Sequence, residues 1–363
     1  MPKLDGERGN QILRWIVVVA IVVFVFGWLL PQFIDYELVW DAITGLSISQ
    51  LLVLLMLTTV RVPTEAGIYR AMLPGLRFRQ GSEAYLSSNV AANVMPPPAP
   101  SIIQYAYFRA ARFDARSSLT AAVGSFVFPQ GGRILLPPIA FVVLLAVGAA
   151  DTEALVITAV ALVLVAILVV LIWLIGRSET SARWVGRQLG RLVSWVMVKL
   201  KKHPVGDLGA QVVDFRDNAY AVVRDRWLYG STAVALNLGI TYLILVASLR
   251  FVGVEPANLG LAAIFAAFAV SFFAGVVIPL TGSGLGVVDV VMISALQASV
   301  SGDVDVNVIV AGVVLWRVFY SLLAFFPGAW TLSRFAKTHT DLLKEAGEEL
   351  GADPSAEQAA DPA

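Results

Sequence analysis

Runs of about 20 apolar residues, the length that crosses a hydrocarbon core of about 30 Å, recur along the chain between short polar stretches. The first, "ILRWIVVVAIVVFVFGWLL" (12–30), has a basic flank in Lys3, Arg8 and Arg14, contains Trp28 and lacks a small-residue cleavage site. It reads as an anchor and not as a removed leader. A second run lies near 48–60, and a third, 117 to about 148, is interrupted by "FPQGGRILLPP". "LVITAVALVLVAILVVLIWLIG" carries the chain to 176, and further runs cover about 227–249 and 306–333. The pattern predicts an all-α polytopic membrane protein with about six to eight transmembrane helices. Composition agrees: 58% of the 363 residues are hydrophobic and 14% charged, against roughly 25% charged in a soluble domain, and mean hydropathy is +0.78.

Two apolar regions are broken. "SSNVAANVMPPPAPSIIQYAYFRAAR" (87–112) places Pro96, Pro97, Pro98 and Pro100 between two apolar arms. Proline cannot donate a backbone hydrogen bond and forces the preceding residue out of the helical region. Arms of about 10–14 residues are too short to span, so the stretch predicts a re-entrant hairpin near 84–108. Backbone of this kind survives at membrane depth only inside protein or beside a wet cavity, which Asn89, Asn93, Ser101 and Gln104 are suited to line. The alternative is a Pro-rich loop lying on the cytoplasmic surface. The second break is "IPLTGSGLGVVD" (278–289), with its core at 279–286. There Gly282, Gly284 and Gly286 permit close approach and positive φ, and Thr281 or Ser283 can cap the following helix. Such a helix start attracts anions, although Gly-rich breaks also serve helix packing. A matched pair of interrupted segments points to a transporter site.

Charge sets orientation through the excess of Lys and Arg on the cytoplasmic side. Asp35, Glu37 and Asp41 lie in a loop without basic residues, which belongs outside, whereas Arg61, Arg70, Arg77 and Arg79, and then Arg109, Arg112 and Arg116, mark the inside. The proline-rich stretch thus begins and ends inside. Asp151 and Glu153 lie outside, and residues 177–226, with ten Lys or Arg, lie inside. In that connector Arg183, Arg187 and Arg191 repeat every four residues opposite Trp184, Val185 and Leu192, as in an amphipathic interfacial helix. No Lys or Arg lies between Arg250 and Arg317, so two spans and one re-entrant hairpin fit residues 260–300 equally. Four regions result: a first membrane half (1–176), a cytoplasmic connector (177–226), a second membrane half (227–336) and a disordered, acidic cytoplasmic tail (337–363).

Ionisable residues inside apolar segments mark candidate chemistry, because each costs at least about 2.5 kcal/mol at a helix centre. Arg133, Arg317 and Asp289 are the set. Either Asp289 closes a structural pair with Arg317 or Arg133, or one arginine stays free to grip a phosphate by its planar fork. Two arginines against one acid favour an anionic ligand. With no cysteine, and with His203 and His339 in polar segments, thiol chemistry is excluded and neither a metal centre nor a bound cofactor is expected. No Ser/His/Asp set, phosphate loop or carboxylate pair is evident, so no enzyme is expected. Glu65 and Glu83 read as partners of neighbouring arginines.

The order of a basic segment, an Asn-x-x-Pro break, a second basic cluster and a late "IPLTGSGLGVVD" followed by a helix with Arg317 resembles the lysylphosphatidylglycerol synthase transmembrane-region family over about residues 10–335. The resemblance implies two pseudo-symmetric halves and a domain that moves modified lipids between leaflets, with Asp289 in the place of the family's usual glutamate. The first half departs from the family pattern. Prolines and Ser101 stand where glycines and an acid are usual, and "PQGGR" keeps Arg133 without its acid. No soluble domain follows, so aminoacyl transfer is not implied.

The expected function is that of a flippase-like lipid translocase in a bacterial inner membrane, with both termini cytoplasmic. Its cargo would be an anionic, glycosylated or polyprenyl-phosphate-linked lipid. Arg133 and Arg317 would bind the phosphate, Thr281, Gly282, Ser283 and Gly284 would offer backbone donors, Asn93, Ser101 and Gln104 would line the other wall, and Asp289 would be the candidate proton carrier. Cell-envelope biosynthesis enzymes are candidate partners; nucleic acid is not. The alternatives are an accessory or regulatory membrane protein that transports nothing, and an intramembrane lipid-phosphate enzyme.

Overall fold

The computed structural model describes residues 44–95, 98–148, 176–199, 208–278, 283–302 and 304–351, with isolated positions at 37, 40 and 41 and between 163 and 174. The apolar run at 12–30, most of the run ending at 176, Pro96, Pro97, Thr281, Gly282, His203 and the tail beyond 351 lie outside the described residues. Every regular element among the described residues is helical.

The first half begins with α1 (Ile48–Met72), capped by Ser47, whose side chain accepts from the Gln50 backbone. It continues with α2 (Phe78–Val94), α3 (Ala99–Ala110) and α4 (Ala115–Ala146). Asp114 caps α4 by accepting from the Ser117 backbone N–H at 2.9 Å, a bond that holds its carboxyl below the ordinary value. The "FPQGGRILLPP" stretch does not interrupt α4, which runs unbroken through Pro129, Pro137 and Pro138. Within a membrane, neighbouring helices and local adjustments satisfy the groups that proline frees.

A surface helix α5 (Glu179–Lys199) packs on α6 (Leu208–Phe251). Arg183, Arg187 and Arg191 are exposed as expected, but so is Trp184, while Ala182, Val185 and Gly186 face α6. Then follow α7 (Leu261–Val277), α8 (Val287–Ala298) and α9 (Val306–Arg317). One π turn, Val318–Leu322, joins α9 to α10 (Phe325–Thr338), and α11 (Thr340–Gly351) ends the described chain.

Among the described residues, four helical stretches are long and apolar enough to cross a membrane: Ile48–Met72, Ala115–Ala146, Arg226–Phe251 and Val306–Thr338, of 25, 32, 26 and 33 residues. Between the members of each pair lie one helix of 17 and one of 12 residues, α2 and α3 in the first half, α7 and α8 in the second. At 1.5 Å per residue these are about 25 and about 18 Å long, short of a core of about 30 Å. The order long, 17, 12, long therefore repeats, and residues 260–300 form a broken pair instead of two full spans.

Helices α1 and α6 run antiparallel. Gly67 and Ala71 near the end of α1 face Ala233 and Gly230 early in the Arg226–Phe251 span of α6, whereas Leu54 shares a core with Ile244 and Leu245. The α2–α3 pair thus attaches at the end of the bundle where the Arg226–Phe251 span begins, and the α7–α8 pair at the opposite end. Around the second pair a core forms from Phe268, Phe272, Trp316 and Tyr320, with the last two rings stacked at 4.9 Å.

The acidic tail is not disordered over its first part. Low aromatic content suggested disorder from 337, but α10 runs to Thr338 and α11 puts Leu342, Leu343, Ala346 and Leu350 on one face against the first-half core. Glu345 accepts from Tyr105 at 2.9 Å and from Arg109 at 3.0 Å, both on α3.

Candidate substrate site

Polar residues near the middle of all four spans turn inward. Arg61 on α1, which reads in the sequence as a marker of the cytoplasmic face, is 5% exposed and sits inside the bundle. The reason is that α1 continues as helix through Pro63 to Met72, which puts Arg61 in mid-span. Its guanidinium donates to Tyr85 Oη at 2.8 Å, to the Tyr320 carbonyl at 2.7 Å and to Glu65 at 2.9 Å, and lies 4.4 Å from the Tyr320 ring. A cation taken from water is tolerable with that many partners.

The π turn explains one of them. Its i to i+5 pattern, marked by Leu323 N–H to the Val318 carbonyl at 2.7 Å, leaves neighbouring carbonyls for side chains. Those of Phe319, Tyr320 and Ser321 accept from Thr58, Arg61 and Asn89 at 3.0, 2.7 and 3.0 Å. Wide turns of this kind often accompany functional sites.

These groups surround a cavity of about 110 Å³. It is lined by Arg61 and Glu65 from α1, Asn89 from α2, Gln104 from α3, Gln130 and Arg133 from α4, Asn237 from α6, Ser283 from the Gly-rich break, and Tyr320 and Ser321 from the π turn. The two breaks touch at its edge: the Ser283 backbone N–H donates to the Ala92 carbonyl at 2.9 Å. In the Gly-rich break, Gly284 (φ +72°) and Gly286 (φ +87°) adopt the left-handed conformations that glycine permits. A side chain at Gly284 would also strike Val288.

The ten residues singled out in the sequence divide. Arg133, Gln104 and Ser283 line the cavity. Gln104 is fully engaged, donating to Tyr69 Oη at 2.9 Å and accepting from Ser125 at 2.8 Å. Arg133 contacts Gln130 at 3.3 Å and the Phe272 ring at 5.2 Å, its buried Nε has no hydrogen-bond partner, and no acid pairs with it among the described residues.

Asn93 lies just outside the lining and accepts from the Ser321 hydroxyl at 2.6 Å, while Ser101 is buried without lining the cavity. Arg317 and Asp289 form the closed pair: Nε and Nη2 of Arg317 both lie 2.7 Å from Asp289 Oδ1. The other oxygen, Oδ2, accepts from the Gly286 backbone at 2.9 Å, so Asp289 is held on both sides. Gly284 shapes the turn, and Thr281 and Gly282 lie outside the described residues. Of the two acids read as arginine partners, Glu83 pairs with exposed Arg79 at 2.8 Å and Glu65 with Arg61.

The residues missed are Arg61 and Glu65 as cavity groups, and Gln130, Asn237, Tyr320 and Ser321. Asn237 is the one amide in the apolar stretch "STAVALNLGITYLILVASL", a mid-span polar position that signals an inward face.

No curated protein matches this chain. The family model described as the lysylphosphatidylglycerol synthase TM region matches residues 15–328. A match of that extent, together with the repeated long, 17, 12, long order around a polar centre, makes this chain a member of the lysylphosphatidylglycerol synthase transmembrane-region family.

Proposed function

We propose that this membrane protein, whose family ties it to lipid-related processes, translocates a lipid with an anionic headgroup, glycosylated or polyprenyl-phosphate-linked forms included, across a bacterial inner membrane with both termini cytoplasmic. The observation that carries the reading is the meeting of the two broken pairs, Ser283 to Ala92, over a polar cavity whose ionisable lining leaves Arg133 without an acid. Arg61 is balanced by Glu65, so the excess positive charge is that of Arg133. A guanidinium with no acid partner in a low-dielectric pocket is suited to a phosphate oxygen. Hairpins entering from opposite ends, with tips in contact, supply parts that can separate towards either face in turn. Arg317 supports the gate through Asp289 in this reading and does not grip the phosphate. Movement is passive or coupled to an ion gradient.

The test is reconstitution into vesicles with trace fluorescent phosphatidylglycerol and a dithionite quench of exposed label. Wild type should expose inner-leaflet lipid faster than empty vesicles, and Arg133→Ala should slow it roughly tenfold or more. Exposure no faster than in empty vesicles, across phospholipid and polyprenyl-phosphate probes, would sink translocation and leave the accessory role. A covalently altered lipid in the mass spectrum would favour the enzyme instead.

A further inference from the structure

The two sides of the cavity differ in hydrogen-bonding character. On the α4 side stand donors: the Arg133 guanidinium, with no acid partner among the described residues, and the amide of Gln130, whose oxygen already faces Arg133 Nη1. On the α1, α2 and α6 sides three side-chain oxygens are spare acceptors, beside the buried Arg61 Nε, which also has no partner. Asn89 donates through Nδ2 to the Ser321 carbonyl, a group that can only accept. Asn237 donates through Nδ2 to Thr64 Oγ1 at 3.0 Å, and the Thr64 proton is already given to the Arg61 carbonyl at 2.6 Å. Both amides are therefore oriented by chemistry, with their Oδ1 atoms accepting from no group among the described residues. Glu65 accepts from Arg61 through Oε1, and its Oε2 likewise has no donor there. Three acceptors on three helices and one unpaired cation on a fourth thus share one cavity.

We infer that this cavity is a two-ended site for a phosphate ester whose alcohol carries free hydroxyls, a polyol or sugar phosphate. Arg133 takes the phosphate, and Glu65, Asn89 and Asn237 accept from the hydroxyls. The inference rests on reading the cavity as the headgroup site and adds what selects the headgroup. A choline headgroup has no N–H or O–H to offer and leaves three cavity-lining acceptors unpaired, which is where discrimination comes from. An ethanolamine ammonium can donate, but the lining sums to one positive charge, Arg61 and Arg133 against Glu65. That balance favours a headgroup with net negative charge.

The experiment uses the full chain in detergent with dihexanoyl phosphatidylglycerol, phosphatidic acid, phosphatidylethanolamine and phosphatidylcholine, read as apparent Kd from ligand-induced thermal stabilisation. Phosphatidylglycerol should bind roughly tenfold tighter than phosphatidic acid or phosphatidylcholine, the worth of one or two hydrogen bonds in a buried site. Asn237→Ala and Glu65→Gln should each bring phosphatidylglycerol close to phosphatidic acid while phosphatidic acid itself does not weaken. The two variants disturb different neighbours, Thr64 and Arg61, so a folding defect in one leaves the other to decide. Phosphatidylcholine binding as well as phosphatidylglycerol, a preference that survives both substitutions, or ethanolamine binding tighter than glycerol would each overturn the inference. Loss of translocation with this ranking intact would refute transport and leave the site standing. Phosphatidic acid binding unchanged in Arg133→Gln would refute the phosphate end, and with it the proposed function.

Discussion

Three interior arginines show how partners decide what a charge is for. Arg61 is held by an acid, a phenol and a carbonyl, Arg317 is closed by Asp289, and among the described residues Arg133 alone reaches the cavity without an acid. The first two hold helices together: Arg61 ties α1 to the π turn, and Arg317 ties the last span to the start of α8. Removing one member of such a pair strands the other in a medium of low dielectric. Asp289→Asn, which keeps a cap on Gly286, should therefore lower resistance to thermal unfolding in detergent by about 3 kcal/mol, and so should Arg317→Gln. The double variant should cost less than the sum of the two. Strict additivity in that cycle would show that the pair contributes no coupling.

Helices of 17 and 12 residues need neighbours that let them lie close. Gly328 on α10 meets the backbone of Leu86 on α2 so closely that an added Cβ would collide with the Leu86 carbonyl. Ser87 and Thr331, bonded at 2.9 Å, seal the same contact. Gly328→Ala should destabilise the protein by about 1–3 kcal/mol, read as a lower midpoint of thermal unfolding in detergent. A midpoint within a degree of wild type would mean that the two helices approach less closely than described. The four described spans and both breaks were legible in the sequence, because apolar length and helix-breaking residues act locally. What the sequence left hidden were partnerships: Arg61 resembles any juxtamembrane arginine until α1 is known to continue through Pro63 to Met72. The tail from 340 resembles a disordered segment until its four apolar positions find the α3 face. Arg133 was legible as an interior charge, but its lack of an acid depends on Asp289 having chosen Arg317.

Taken whole, the bundle is two copies of one plan joined head to tail, with hairpins entering from opposite ends and touching at Ser283 and Ala92. The chain contains no cysteine, so an introduced pair carries the only thiols. Ala92→Cys with Ser283→Cys should form a disulfide under mild oxidation and halt translocation in vesicles, with dithiothreitol restoring it. Equal rates in the oxidised and reduced forms would show that the hairpin tips need not part. The π turn adds a further consequence of the same joint. One extra residue in a turn advances everything after it by about 100° around the helix axis. The last span can therefore aim two separate stripes, Trp316 at α6 through the Thr241 carbonyl and Gly328 with Thr331 at α2. Deleting a single residue between 318 and 322 would restore an unbroken α-helix whose carbonyls bond its own backbone, and Thr58, Arg61 and Asn89 would lose the acceptors by which the first half holds the last span.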